Sequence, residues 1–89
     1  MMQDLIKELS EYMDTGYERI ARKTKWKLYF ERLKANHVKE IFRVDFKTNT
    51  IKYYCVDHPT PLADVLLLYP TDELHFSTVN EIVDYIYGA

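Results

Sequence analysis

The chain has 89 residues, and its 12 Lys and Arg against 14 Asp and Glu leave a formal net charge of −2. That length holds one domain with a modest core, and 47% hydrophobic residues, 15% of the chain being aromatic, suit a packed globule and exclude a disordered tail. A single cysteine, Cys55, excludes an internal disulfide and points to a reducing cytoplasm.

The small total charge conceals three blocks. Residues 1–18 set Asp4, Glu8, Glu11, Asp14 and Glu18 against Lys7, a net of −4. Residues 19–52 set eleven Lys and Arg against Glu31, Glu40 and Asp45, a net of +8. Residues 53–89 hold six acids and no Lys or Arg. Fields and partners follow such local charge rather than the total.

The first element is a helix. Leu5, Ile6, Leu9, Tyr12 and Met13 recur at helical spacing over about Met2 to Asp14, and Gly16 suits a left-handed stop just beyond. The opening MMQDLIKELSEYM is acidic and amphipathic, unlike a signal peptide. The longest apolar run, Val65–Tyr69, is far too short to span a bilayer, so no membrane partner is expected.

Next the period changes to two. Trp26, Leu28 and Phe30 alternate with Lys25, Lys27 and Tyr29; Phe42, Val44 and Phe46 with Arg43, Asp45 and Lys47; Ile51, Tyr53 and Cys55 with Lys52, Tyr54 and Val56. Three strands are predicted. The competing reading makes residues 18–35 a basic helix through Trp26, Phe30 and Leu33.

Turns near Asn36 and Asn49 give a register. It sets Trp26–Phe46–Ile51, Leu28–Val44–Tyr53 and Phe30–Phe42–Cys55 as apolar rows on one face. A one-residue slip would expose them. On the other face the rows are Lys25–Lys47–Thr50, Lys27–Asp45–Lys52 and Tyr29–Arg43–Tyr54.

His58-Pro59-Thr60-Pro61 is an extended connector. Residues 64–69 can form a short fourth strand or a helical turn, ended by Pro70. Val79, Ile82, Val83 and Ile86 stripe a last helix, with Thr78 and Glu81 at capping-box spacing and Gly88 as its stop. The predicted fold is α+β: a three-stranded antiparallel meander with both terminal helices packed on one face. The double-stranded-RNA-binding domain shares this order, but its basic second-helix start has no counterpart in the acidic Ser77–Tyr87. No family is recognised.

No catalytic or cofactor signature is present. Cys55 and His58 stand at C-x2-H spacing, but a structural zinc site needs four convergent ligands, and Cys55 is expected to pack as a free thiol on the apolar face. The same position argues against a Cys-His nucleophile. Asp72 with Glu73 and Glu81 with Asp84 are read as solvated charge, and two glycines cannot make a phosphate-cradling loop.

The candidate site is the basic sheet face: Lys25, Lys27, Tyr29, Arg43, Lys47, Lys52 and Tyr54. Aromatic and Arg anchors carry interface energy, so a small non-enzymatic binding or regulatory protein is expected, acting through protein contacts. Its size and plain composition fit an accessory or inhibitory factor of phage or mobile-element type. The alternative is a single-stranded nucleic-acid binder that stacks bases on Tyr29 and Tyr54. An exposed strand edge would also admit a second copy as a homodimer.

Overall fold

Strands that alternate apolar and polar residues can bury one side each, and in the computed structural model, which describes residues 1–88, the middle strands do so side by side. The fold is α+β. Its order is α1 (Met2–Tyr12), β1 (Glu18–Lys23), β2 (Lys27–Ala35), β3 (Val38–Asp45), β4 (Thr50–Asp57), α2 (Leu62–Val65), β5 (Asp72–His75) and α3 (Val79–Tyr87). The five strands form one antiparallel sheet in sequence order.

Leu28, Phe30, Phe42, Val44 and Ile51 line the inner face of this sheet and are buried against Leu5 and Leu9 of α1 and Ile82, Val83 and Ile86 of α3. Each such side chain contributes roughly 1.5–3 kcal/mol by leaving water. Thr78 caps α3 by accepting from the Glu81 amide, while the Glu81 carboxylate accepts from the Ser77 amide. Gly88, at φ +80°, ends it with its amide on Asp84 O. α1 stops at Tyr12, two residues before the predicted end, because Met13 turns extended. The Tyr12 and Tyr87 rings, stacked 4.8 Å apart, join the two helix ends.

Residues 27–35 are strand, as the alternation requires, and the competing helix is excluded. The β2–β3 register is the predicted one: Leu28 faces Val44 and Phe30 faces Phe42 across the Asn36-His37 turn. The β3–β4 register is not. Its loop spans 46–49, where Asp45 Oδ1 accepts from the amides of Lys47 (2.8 Å) and Thr48 (3.3 Å) and Asn49 turns left-handed at φ 56°. The longer loop slides β4 by two residues. Val44 therefore faces Ile51, Phe42 faces Tyr53 and Arg43 faces Lys52. A two-residue slide keeps every side chain on its own face, so burial parity cannot detect it.

Two further expectations are corrected, and one left open is decided. Trp26 lies in the turn before β2, not in the inner face, and is 48% exposed. Cys55 faces the inner side beyond the reach of the helices and is exposed rather than packed. Of the two alternatives for residues 64–69, the helical turn holds and the short strand does not: α2 and a following turn occupy the segment, because Leu66, Leu67 and Leu68 amides return to Leu62, Asp64 and Val65 carbonyls. The additional strands are instead β1 and β5, at the two edges. β1 carries a bulge between Ile20 and Arg22, which sends Ile20 to the core and Arg22 to the outer face without simple alternation.

Candidate functional site

The outer sheet face is built from the side chains that the core alternation leaves over. Its middle row runs Arg22, Tyr29, Arg43, Lys52 and Glu73 across all five strands. The guanidinium carbons of Arg22 and Arg43 lie 5.6 and 5.9 Å from the Tyr29 ring centroid. Cations on both neighbouring strands thus flank that ring, which keeps only 4% of its surface exposed. Tyr54 is not beside Arg43 in the row, as predicted, but one pair further along, opposite Ile41. It is 2% exposed, because α2 folds back over this half of the face and sets Val65 on Ile41 and Tyr54, with Leu62 and Val56 at the margin.

Lys27, Tyr29, Arg43, Lys52 and Tyr54 therefore share one face, but neither aromatic ring is an open platform: Tyr54 is a wall of a small core under α2, and Tyr29 is buried with the Arg22 and Arg43 guanidiniums beside it. Lys25 and Lys47 stand apart, exposed on the two loops at one end of the sheet. Much of the remaining basic block is engaged internally. Arg19 pairs with Glu31 at 3.0 Å and Arg32 with Glu40 at 2.8 Å. Lys39, buried, reaches Glu31 at 3.7 Å and donates to Thr60 O at 2.6 Å, which fastens the α2 connector to the sheet. Among the described residues, no ion pair engages Lys23, Lys25, Lys27 or Lys47.

A polar network sits on the inner side beside the C-terminal end of α3. Glu40 accepts from Arg32 Nε and from the Tyr53 hydroxyl, and Tyr85 donates to Asp72 at 2.7 Å. Burial raises the Glu40 carboxyl, yet the two hydrogen bonds and the charges of Arg32 and Lys34 outweigh it and hold the group below its ordinary value. Burial, then Glu40, pushes the Tyr53 hydroxyl well up. The Arg32 guanidinium lies 5.1 Å from the Phe42 ring and 5.4 Å from the Tyr87 ring. Glu40 with Arg32 and Tyr53, and Asp72 with Tyr85, satisfy one another, whereas the buried Tyr87 hydroxyl has no hydrogen-bond partner; the network reads as structure. Among the described residues no three His, Cys, Asp or Glu converge as a metal site, and no helix is long and apolar enough to cross a membrane.

Two surfaces escaped the periodicity reading. At the basic end, Thr24 and Lys27 close a tight turn through Thr24 N–H to Lys27 O (2.9 Å) and Lys27 N–H to Thr24 Oγ1 (3.1 Å), and its tip presents Lys25 and Trp26. On the α2 side, Leu67 and Tyr69 are 84% and 97% exposed, with half-exposed Leu68 between them. Asp64, Asp72 and Glu73 are exposed acids before and after this ridge. The signal for it was the run Val65–Tyr69 itself, five apolar residues where a helical turn can bury only one side. Compared with protein-family models, curated proteins and solved structures, the chain matches none.

Proposed function

We propose that the chain is a non-enzymatic protein-binding domain whose docking element is the Leu67–Tyr69 ridge. The observation that carries this reading is the exposure of three consecutive large apolar side chains on an ordered turn. Single exposed apolar residues are ordinary, but a contiguous group rimmed by charge is characteristic of an interaction surface. The ridge is held from both sides: Val65 is fully buried beneath it, and the Thr71 amide donates to Tyr53 O at 2.7 Å beyond it. Little ordering entropy is then left to lose on binding. Tyr69 supplies the aromatic anchor and the leucines the apolar rim.

The surrounding acids define the partner's chemistry. An apolar pocket bordered by Lys or Arg would complement Asp64, Asp72 and Glu73, and that complementarity would speed encounter and reject acidic competitors. The reading keeps the protein-contact expectation but moves it away from Arg43, since Tyr29 and Tyr54 have no surface to offer. An accessory or inhibitory role, phage-borne or otherwise, belongs to the same proposal.

The test is capture from the native host with three baits: the unaltered chain, Leu67→Asp/Tyr69→Asp, and Arg43→Glu. All three should give the same circular dichroism. The expected result is a partner retained by the first and third baits and lost by the second. Retention by the ridge variant, or loss with Arg43→Glu alone, would overturn the assignment.

A further inference from the structure

We infer that the end of the sheet around Trp26 is a second site, which binds single-stranded nucleic acid independently of the ridge. The two loops at this end are physically joined: the Phe46 amide donates to Trp26 O at 2.8 Å. That bond sets the Lys25-Trp26 tip beside the 46–49 loop and its exposed Lys47. Lys23 and Lys27 flank the tip at the end of β1 and the start of β2, and Arg22 follows on the outer face. Asp45, at the end of β3, accepts the Lys47 and Thr48 amides through Oδ1. Asp45 faces Lys27 across the β2–β3 pair and offsets part of this charge, but Lys23, Lys25 and Lys47 enter no ion pair among the described residues.

The aromatic component is Trp26. Its indole lines a cleft of about 330 Å³ together with Met2, Phe46, Lys23 and Lys25. The Lys25 ammonium lies 5.5 Å from the ring centroid. An exposed ring beside an apolar floor, ringed by lysines, is what unstacked bases require: a π-face for the base and cations for the phosphates. A duplex hides its base faces and would use only the charge. The commitment is therefore to a single strand whose bases can enter the cleft.

Trp26 is the only tryptophan in the chain, so tryptophan emission, selected against that of the eight tyrosines, reads this site. The experiment is titration with oligo(dT) of about 12 nucleotides, within the ~4–16 nucleotides one small domain covers. Tryptophan emission and the anisotropy of a labelled oligonucleotide would be followed together. Emission should be quenched as the strand binds. With about four cations meeting phosphates, log K should fall with log salt at a slope of about −3, roughly fiftyfold between ~50 and ~200 mM. Lys25→Glu/Lys47→Glu should weaken binding more than about tenfold by anisotropy, Trp26→Ala by about tenfold, and Trp26→Phe by less.

Absence of binding at low salt would overturn the inference. So would equal quenching by inorganic polyphosphate, which has no bases, or equal affinity for a duplex of the same length. The ridge variant Leu67→Asp/Tyr69→Asp should bind oligo(dT) like the unaltered chain. Failure here would therefore leave the protein-docking reading intact, and failure of that reading would leave this one intact.

Discussion

Glu40 shows how a single charged side chain can hold a strand edge of the core. It is only 8% exposed, and both carboxylate oxygens are occupied, one by Arg32 and one by the Tyr53 hydroxyl. Glu40→Gln keeps the shape but removes the charge, leaving Arg32 beside a neutral amide. Hydrogen bonds to charged groups contribute about 1.5–3 kcal/mol, so a loss of that order is expected near neutral pH. The sign of the pH dependence follows from the depressed folded pKa: the unfolded chain takes up the proton first. The stability from Glu40 is present above its ordinary value of 4.5 and is lost as pH falls through the lower folded value. Denaturant midpoints of the unaltered protein and Glu40→Gln should thus differ at pH 7 and converge in acid. A gap that persists undiminished at low pH would show that packing, not charge, is at stake. At this scale the sequence was legible for side and illegible for cover. Alternation correctly turned Tyr29 and Tyr54 away from the helices, yet neither is open to solvent, because Arg22, Arg43 and α2 close over them. Trp26 was misread the other way: it fits the alternation but sits one residue outside β2, in a turn.

The element that most changes the reading is the one with the weakest sequence signal. Between Asp57 and Asp72 neither period holds, since α2 is a single turn of four residues and its neighbours pack on one side only. A buried short strand there would cover the whole apolar run, whereas the helical turn buries Val65 and leaves Leu67 and Tyr69 in water. That division is measurable. Val65→Ala should cost about 1.5–2.5 kcal/mol, the transfer of its lost methyl groups plus part of a cavity. Tyr69→Ser should stay within about 0.5 kcal/mol of the parent in urea unfolding, as expected for a side chain that touches little. A large loss at Tyr69 would mean that the ridge is folded onto the protein and is not available for docking. The β3–β4 loop gives the complementary case. Its strands were readable, but the four-residue loop was not, since Asp45 rather than an apolar contact sets its length.

For the whole molecule, the three charge blocks become a spatial polarity: acidic helices on the inner face, free lysines at one end of the sheet, and an acidic apolar ridge near the other edge. The sheet has two open edges through which copies could associate. β5 is short and is preceded by Pro70. β1 is longer, but it carries Arg19, Arg22 and Lys23 and is bent by its bulge. The net positive charge left on β1 by Arg22 and Lys23, with the bulge, is a barrier to the edge-paired homodimer that strand composition alone permits. The unaltered protein is therefore expected to sediment as a monomer at moderate salt. Arg22→Val/Lys23→Thr removes two of the charges while keeping strand-forming residues. It should shift the sedimentation profile toward dimers or larger species, with Leu67→Asp/Tyr69→Asp in the same background leaving that shift in place. If the unaltered protein already dimerises and only the ridge substitutions dissolve the dimer, the edge is irrelevant and the ridge binds a second copy of this chain.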